Sequence, residues 1–275
     1  MIQDIFPKEY HVEFAWKEPK AEDLCFVFRR GDVLEHLKGE ELSLPTYGEL
    51  ATYAEKTFYL FRVDDRDYFL VWLKEDAVPQ GYDWHPMRLE RELKSKELKF
   101  AEFTANHLDI WYRANRFCGH CGTPTQHDHK ERMLRCPNCG EMIFPRISPA
   151  VIIAVTDGER ILMTPYRRGK YRGYGLLAGF VEIGETAEET VRREVMEEVG
   201  LKVKDIRYYG SQPWGVVGNL SIGYFCHLDG DDTIYLDGQE LTAADWYTRG
   251  QVELENEDYS LTNDMICAFL EGRWN

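Results

Sequence analysis

The chain has 275 residues, 44% hydrophobic and 29% charged, a globular balance that excludes wholesale disorder and leaves room for two or at most three modest domains. With 48 acidic against 33 basic residues its net charge is −15, and a field of that sign repels nucleic acid and phosphate unless a local positive centre intervenes. No apolar run approaches the roughly 18–20 residues of a membrane span, and the opening MIQDIFPKEYHVEF lacks a signal-peptide core. A soluble cytoplasmic protein with no membrane partner is expected.

In chain order, the first part carries strand-like stretches without a readable motif. Cys25–Arg29 and Thr57–Leu73 alternate aromatic and polar residues, the second around Asp64-Asp65, which predicts a hairpin; Pro79–Pro86 reads as a loop. Between Leu98 and Asn115, Ala101, Ala105, Leu108 and Trp111/Tyr112 recur at helical spacing, an amphipathic helix that leads into a cysteine cluster. Beyond the cluster the pattern is α/β. Strands are expected at Ala150–Thr156, Arg160–Tyr166 and Gly175–Val181, with Asp157-Gly158 as a tight turn. A helix follows from Thr186 to Val199, opened by a Thr186/Glu189 capping box and stopped at Gly200. Further strands are expected near Val203–Tyr209 and Leu220–His227, and a last helix over Ser260–Leu270.

Four of the seven cysteines fall in two CxxC pairs, Cys118/Cys121 and Cys136/Cys139, separated by 14 residues. Each CxxC in a tight turn points two sulfurs at one centre, and two such turns supply the tetrahedral thiolate set that zinc takes, with no position left open for chemistry. Gly119, Gly122 and Gly140 suit the turns. The blander alternatives are local disulfides or free thiols; a redox CxxC usually comes singly. His120 could replace a sulfur, but four cysteines fill the shell. A ribbon of this kind can also read nucleic acid, yet the intervening GTPTQHDHKERMLR has no interleaved basic-aromatic surface, which favours a metal staple. Cys25, Cys226 and Cys267 read as buried hydrophobes.

The second motif is Gly179-Phe-Val-Glu-Ile-Gly-Glu185, then seven residues, then Arg193-Glu194-Val-Met-Glu197-Glu198-Val-Gly200-Leu201. On a helix Glu194, Glu197 and Glu198 lie within a ~100° arc. They sit beyond the first turn, where the helix dipole no longer favours acids, so three carboxylates there repel unless a divalent cation joins them. Oxygen-only ligands point to Mg²⁺ or Mn²⁺. Glu188 and Glu189 read as solvated acids. Arg167, Arg168, Lys170 and Arg172 form a basic run that is either a solvated hairpin turn or a phosphate contact.

This stretch matches the Nudix box, GX5EX7REUXEEXGU with U aliphatic, at every specified position. The wider order of features resembles the NADH pyrophosphatases (NAD-capped RNA hydrolases) of that superfamily: a four-cysteine ribbon, Phe144-Pro-Arg-Ile-Ser-Pro-Ala-Val-Ile, Ala178-Gly-Phe-Val-Glu and Ser211-Gln-Pro-Trp214. The resemblance covers roughly residues 88–270. It implies an α/β class: a Nudix α/β/α sandwich with a mixed sheet (148–275), preceded by a zinc ribbon (113–147) and an α+β N-terminal domain (1–112). It also implies one structural Zn²⁺ on Cys118, Cys121, Cys136 and Cys139, and catalytic Mg²⁺ or Mn²⁺ on Glu194, Glu197, Glu198 and the distal Glu240. Glu198 or a neighbour would activate a water, while Glu185 and Arg193 would hold the loop-helix geometry.

Phe180, Gln212 and Trp214 match positions lining the nucleotide pocket. Phe144 stands where the family usually has a tyrosine that can reach in from the other subunit of a homodimer. Arg88, Glu131, Ala178 and Thr262 match further substrate-contacting positions. The implied reaction splits the pyrophosphate of NADH or NAD⁺ to AMP and nicotinamide mononucleotide, and extends to NAD caps on RNA. Two departures keep a second reading open, a Nudix pyrophosphatase acting on ADP-ribose or another nucleoside diphosphate derivative. The family's SQPWPFPxS continues here as Gly215-Val-Val-Gly218-Asn-Leu220, in which the glycines are expected to loosen the loop, and Thr262 replaces the usual alanine of the tail motif.

Overall fold

Alternating aromatic and polar residues give each N-terminal strand one face for a core and one for water. A computed structural model shows how they pair; it describes the chain apart from residues 39–40, 75–77, 88–93, 169–170, 237, 239–240, 242, 253, 255–259 and 275 and the side chains of 38, 41, 166–168 and 171–172. The chain divides into two units, one of Asp4–Arg146 with Gly215–Gly218, the other of Met1–Gln3, Ile147–Trp214 and Asn219–Asn275.

The first unit carries β1 (Tyr10–His11), β2 (Leu24–Phe26), β3 (Phe28–Arg29), β4 (Asp32–Lys38), β5 (Glu41–Ser43), the short helix α1 (Tyr47–Leu50), β6 (Ala54–Val63), β7 (Arg66–Leu73), β8 (Asp83–Pro86), α2 (Lys96–Ala114), β9 (Gln126–His127), β10 (Leu134–Arg135) and β11 (Met142–Ile143). One sheet has the order β1-β6-β7-β2, a second runs β3-β4-β5 with β8 on β4, and β11-β10-β9 form a third. The expected hairpin is β6–β7. It turns at Asp64, whose φ of 50° is one that aspartate tolerates better than most residues, and the Asp64 carboxylate accepts the Glu9 N–H at 2.9 Å.

Pro79–Pro86 is not wholly a loop: Asp83–Pro86 pair antiparallel with β4, Glu35 opposite Asp83 through Asp32 opposite Pro86. The proline ends this strand, where a missing N–H costs the ladder little. Its partner β4, with Val33 and Leu34 fully buried, hides in sequence behind Asp32, Glu35 and His36. Helix α2 opens on Ser95, whose Oγ accepts the Leu98 N–H, and buries Ala101, Ala105, Trp111 and Tyr112 as its periodicity predicts. Cys25, Cys226 and Cys267 are all buried.

Gly215–Gly218 rests on α2. Asn106 Nδ2 donates to Gly215 O at 2.9 Å. A Cβ on Gly215 would lie 1.9 Å from the Phe103 carbonyl oxygen, and Gly218, at φ +81°, abuts the His107 ring. The expectation that these glycines loosen the loop is therefore corrected: their missing side chains permit close backbone packing.

The second unit is built on β12 (Ser148–Asp157), with β13 (Arg160–Arg168), β14 (Tyr171–Gly175), β15 (Leu177–Phe180), α3 (Ala187–Val199), β16 (Val203–Trp214), β17 (Asn219–Leu228), β18 (Asp245–Thr248) and α4 (Leu261–Leu270). The sheet order is β14-β13-β12-β17-β16, with β15 also on β12 and β18 on β13. It is mixed, since β12 runs parallel to β17 and antiparallel to β15. The apolar run of β12 marks a strand covered on both faces. Val151, Ile153 and Val155 pack with Val191, Val195 and Val199 of α3, while Ala154 packs with Met265, Ile266 and Phe269 of α4. This is an α/β/α sandwich. No helix of the described residues is long and apolar enough to cross a membrane.

Because the Phe103 carbonyl is fixed within α2, Gly215→Ala should destabilise the fold by about 1–3 kcal/mol through overpacking. Gly250→Ala, built into open space, should leave the urea midpoint at the wild-type value; equal midpoints for both variants would contradict the close packing.

Candidate active site and metal centre

The pairing of β12 with β15 sets up the site. Ala150 stands opposite Phe180 and Ile153 opposite Leu177, so the chain leaves the sheet at Phe180 and turns directly into α3. Gly184 takes φ +99° in that turn. Thr186 caps the helix, its Oγ1 accepting the Glu189 N–H while Glu189 Oε2 accepts the Thr186 N–H. Glu189 is thus a reciprocal cap as well as a solvated acid, and Gly200 closes the helix in the left-handed conformation.

Arg193 joins these parts. Its Nε and Nη2 donate to the two oxygens of Glu185 at 2.6 and 2.9 Å, Nη2 also to Phe180 O at 3.0 Å, and Nη1 to Glu194 Oε1 at 2.7 Å and Glu197 Oε2 at 3.0 Å. Glu185 additionally accepts from Thr190 Oγ1 and the Glu182 N–H. Thr190, fully buried on α3, is a partner that the motif does not name; a polar residue on the helix's buried face was its only signal. Glu194 lies against Gly179, where an added Cβ would sit 1.9 Å from its carboxyl carbon. The first glycine of the motif is therefore the seat of the first glutamate on this helix face.

Glu194 and Glu198 are buried and Glu197 is exposed, all on the face of α3 flanking the valine stripe. Their oxygens do not converge as far as the cysteines do: among the described residues, the four sulfurs form the one group of three or more metal-ligating side chains within 4.8 Å. Arg193 Nη1 lies between Glu194 and Glu197. The donor set nevertheless fits a hard divalent ion: oxygen only, two members shielded from water, one face.

The ribbon is regular. Gly122 N–H bonds to Cys118 O and Gly140 N–H to Cys136 O, at 2.8 and 3.0 Å, and both glycines have positive φ, 72° and 80°. Sulfurs approach at 3.6 Å (Cys118–Cys139), 3.4 Å (Cys121–Cys136) and 3.7 Å (Cys121–Cys139). Hydrogen bonding to Thr123, side chain and backbone, draws the pKa of the Cys121 thiol down to about 5. Cys139 goes the other way, to about 12: the Glu141 N–H favours its thiolate, but burial and the three neighbouring sulfurs outweigh it. Four sulfurs this close could all become thiolates only around a cation, and the set fits structural zinc.

Other expected residues scatter. Gln212 is buried at 1% exposure, and its Oε1 accepts the Leu261 N–H at the start of α4. Trp214 ends β16 opposite Asn219. Ala178 and Phe180 are exposed on β15, and Thr262 sits in the first turn of α4. In the other unit, Phe144 is exposed after β11, and Glu131 gives its N–H to Asp128. Arg88 and Glu240, together with Lys170 of the basic run, lie outside the described residues. Arg167 and Arg172 face each other across the β13–β14 ladder.

A NUDIX domain model matches residues 146–266, and a model of the NADH pyrophosphatase zinc ribbon domain matches residues 113–144. The chain is 37% identical over 240 residues to a Pseudomonas aeruginosa (strain LESB58) protein named NAD-capped RNA hydrolase NudC, covering 87% of this chain and 82% of that one. The chain belongs to the Nudix hydrolases that carry this zinc ribbon. A Klebsiella pneumoniae (strain 342) protein of the same name is 40% identical over 157 residues, 57% of each chain, so the match spans little more than half of that relative. A crystal structure of a NUDIX hydrolase from Nitrosomonas europaea aligns at 21% identity over 57% of this chain and 91% of that one, with a TM-score of 0.48.

In this Nudix hydrolase the pKa of the Glu185 carboxyl is held at about 2, below its ordinary 4.5, first by the Arg193 hydrogen bonds and then, against some desolvation, by Glu182 and Thr190. A depressed carboxyl contributes stability that is complete above the unfolded value and is lost as the pH falls through the folded one. Glu185→Gln should therefore melt below wild type at about pH 6 and converge with it as the pH approaches 2. Thermal melts without added divalent ion test this; a gap that stays constant across that range would contradict it.

Proposed function

We propose that this enzyme hydrolyses the pyrophosphate bond of NADH or NAD⁺, giving AMP and nicotinamide mononucleotide, and acts on NAD caps of RNA. The observation that carries the reading is the joint match to a Nudix domain and to the NADH pyrophosphatase zinc ribbon, with Glu194, Glu197 and Glu198 together on α3. The names of the relatives point the same way. Glu194, Glu197 and Glu198, with Glu240, would hold Mg²⁺ or Mn²⁺, which when bound supplies positive charge to phosphate oxygens and a more acidic water. A net charge of −15 makes that local reversal of sign a requirement for a dianionic substrate.

The chain's own residues do the remaining work. Glu198 is the reading's general base, taking a proton from the attacking water. Arg193 and Glu185 keep the turn after Phe180 pinned to α3, so the glutamates stand at fixed positions while the substrate exchanges. Phe180 and Trp214 would stack on the substrate's rings and Phe144 would serve the partner subunit in a homodimer; Ala178, Thr262, Glu131 and Arg88 would contact the substrate. Gln212, buried under the start of α4, would act by holding that helix against β16. The domains proposed are 1–112, 113–147 and 148–275.

The segment Gly215–Gly218, bound to α2, favours keeping ADP-ribose as a second reading, because it replaces the proline-rich stretch after Trp214. Mass spectrometry of the products from NADH, NAD⁺ and ADP-ribose at equal concentration separates the two. Fastest release of AMP and the reduced mononucleotide from NADH is expected, and Glu198→Gln should lower kcat on the order of 10²-fold or more at unchanged melting temperature. Preferential cleavage of ADP-ribose, or full turnover by the variant, would overturn the assignment.

A further inference from the structure

The first unit contains a cavity of about 260 Å³, built from stretches that the pyrophosphatase chemistry does not use. Its lining includes Phe14–Glu18, Lys56–Tyr59, Tyr112 and His127. Phe58 stacks on Tyr112 with ring centroids 4.6 Å apart at 20°, and His127 lies 4.9 Å from Phe58 and 5.2 Å from Tyr112. Trp16 is 52% exposed, yet it is not loose: His129 stacks on it at 3.9 Å and 7°. A large ring that faces solvent while a second ring backs it is a preformed platform.

Basic groups are interleaved with these rings. Lys17 Nζ sits over the Tyr59 ring and pairs with Asp67 at 2.6 Å. Arg132 lies over Phe14, and Lys56 and Arg116 approach Trp72. Among the described residues no carboxylate lies within ion-pair distance of Lys56. In a chain of net charge −15, Lys56 is a local centre for an anion: Lys17 is taken by Asp67, and Glu18, the one carboxylate in the lining, forms no ion pair with Lys56.

We infer that this cavity is a base-stacking site for single-stranded RNA, one nucleobase seated against the exposed Trp16 ring and the adjoining phosphate toward Lys56. The lining favours this class over a peptide. Its apolar members are rings, with Ala15 as the one aliphatic side chain; a groove for an amphipathic helix presents aliphatic pockets, and a proline-rich segment, which also docks on rings, makes no use of a lysine at the rim. Flat faces joined to a cation are what stacks bases without reading their edges. Sequence alone does not show the site, because the segment between the two CxxC pairs supplies only His127 and His129 and the rest comes from residues 14–18, 56–59 and 112. The site rests on the proposed action on capped RNA and extends it to nucleotides beyond the cap, and its test needs no turnover.

Fluorescence anisotropy of the full chain with a fluorescein-labelled single-stranded RNA of about ten nucleotides tests it. Wild type should bind, more weakly as salt rises. Trp16→Ala should weaken binding roughly tenfold, and Lys56→Gln should reduce the slope of log affinity against log salt by roughly 0.7. Both variants should retain the wild-type melting temperature and rate on NADH, which uses neither residue. No RNA binding by wild type, or binding unchanged in both variants, would overturn the site. Displacement by AMP as effective as displacement by unlabelled RNA would assign it to free nucleotides, and equal binding of duplex RNA would exclude base stacking; either result overturns the inference.

Discussion

The geometry of the second unit depends on one guanidinium. Arg193 meets Glu185, Glu194, Glu197 and the Phe180 carbonyl, and so ties the turn after β15 to the second and third turns of α3. Isolated surface ion pairs contribute little. A guanidinium bound to both oxygens of Glu185 is geometrically specific, and here it also offsets the repulsion among acids that helix propensity alone would not tolerate. The same contact suggests a division of labour: Glu185 remains the structural partner, while Glu194 and Glu197 are the carboxylates that a divalent ion would draw from Arg193.

Two glycines show how backbone proximity enters function. At Gly179 the absent side chain makes room for the Glu194 carboxyl, and at Gly215 it makes room for the Phe103 carbonyl. One seats a glutamate of the proposed metal site; the other seats the segment after Trp214 on a helix. The ribbon glycines have a different task, since Gly122 and Gly140 supply the positive φ that turns each CxxC back on itself. Metal binding there is folding free energy rather than chemistry.

Much of this was legible from spacing. The helix over α3, its cap and stop, the buried apolar run of β12 and the convergence of four sulfurs follow from period and residue type. What stayed hidden depends on contacts between distant stretches. Strand β4 is hidden by its charged residues, and β8 by Pro86 at its end and Pro79 ahead of it. Thr190 serves Glu185 from a buried helix position, and Gln212 is buried with its Oε1 accepting the Leu261 N–H. Glycines in the Gly215–Gly218 segment read as freedom and proved to be close packing, because sequence shows the missing Cβ and not the backbone that takes its place.

The claim on which the catalytic reading rests is that the glutamate face of α3 holds a divalent ion. Electron paramagnetic resonance of free Mn²⁺, titrated with the zinc-loaded protein, measures that occupancy without any substrate. Wild type should remove Mn²⁺ from solution, and Glu194→Gln combined with Glu198→Gln should abolish the effect while bound zinc and the far-ultraviolet circular dichroism spectrum stay at their wild-type values. Equal Mn²⁺ uptake by wild type and the double variant would place the ion elsewhere and contradict the metal site on α3.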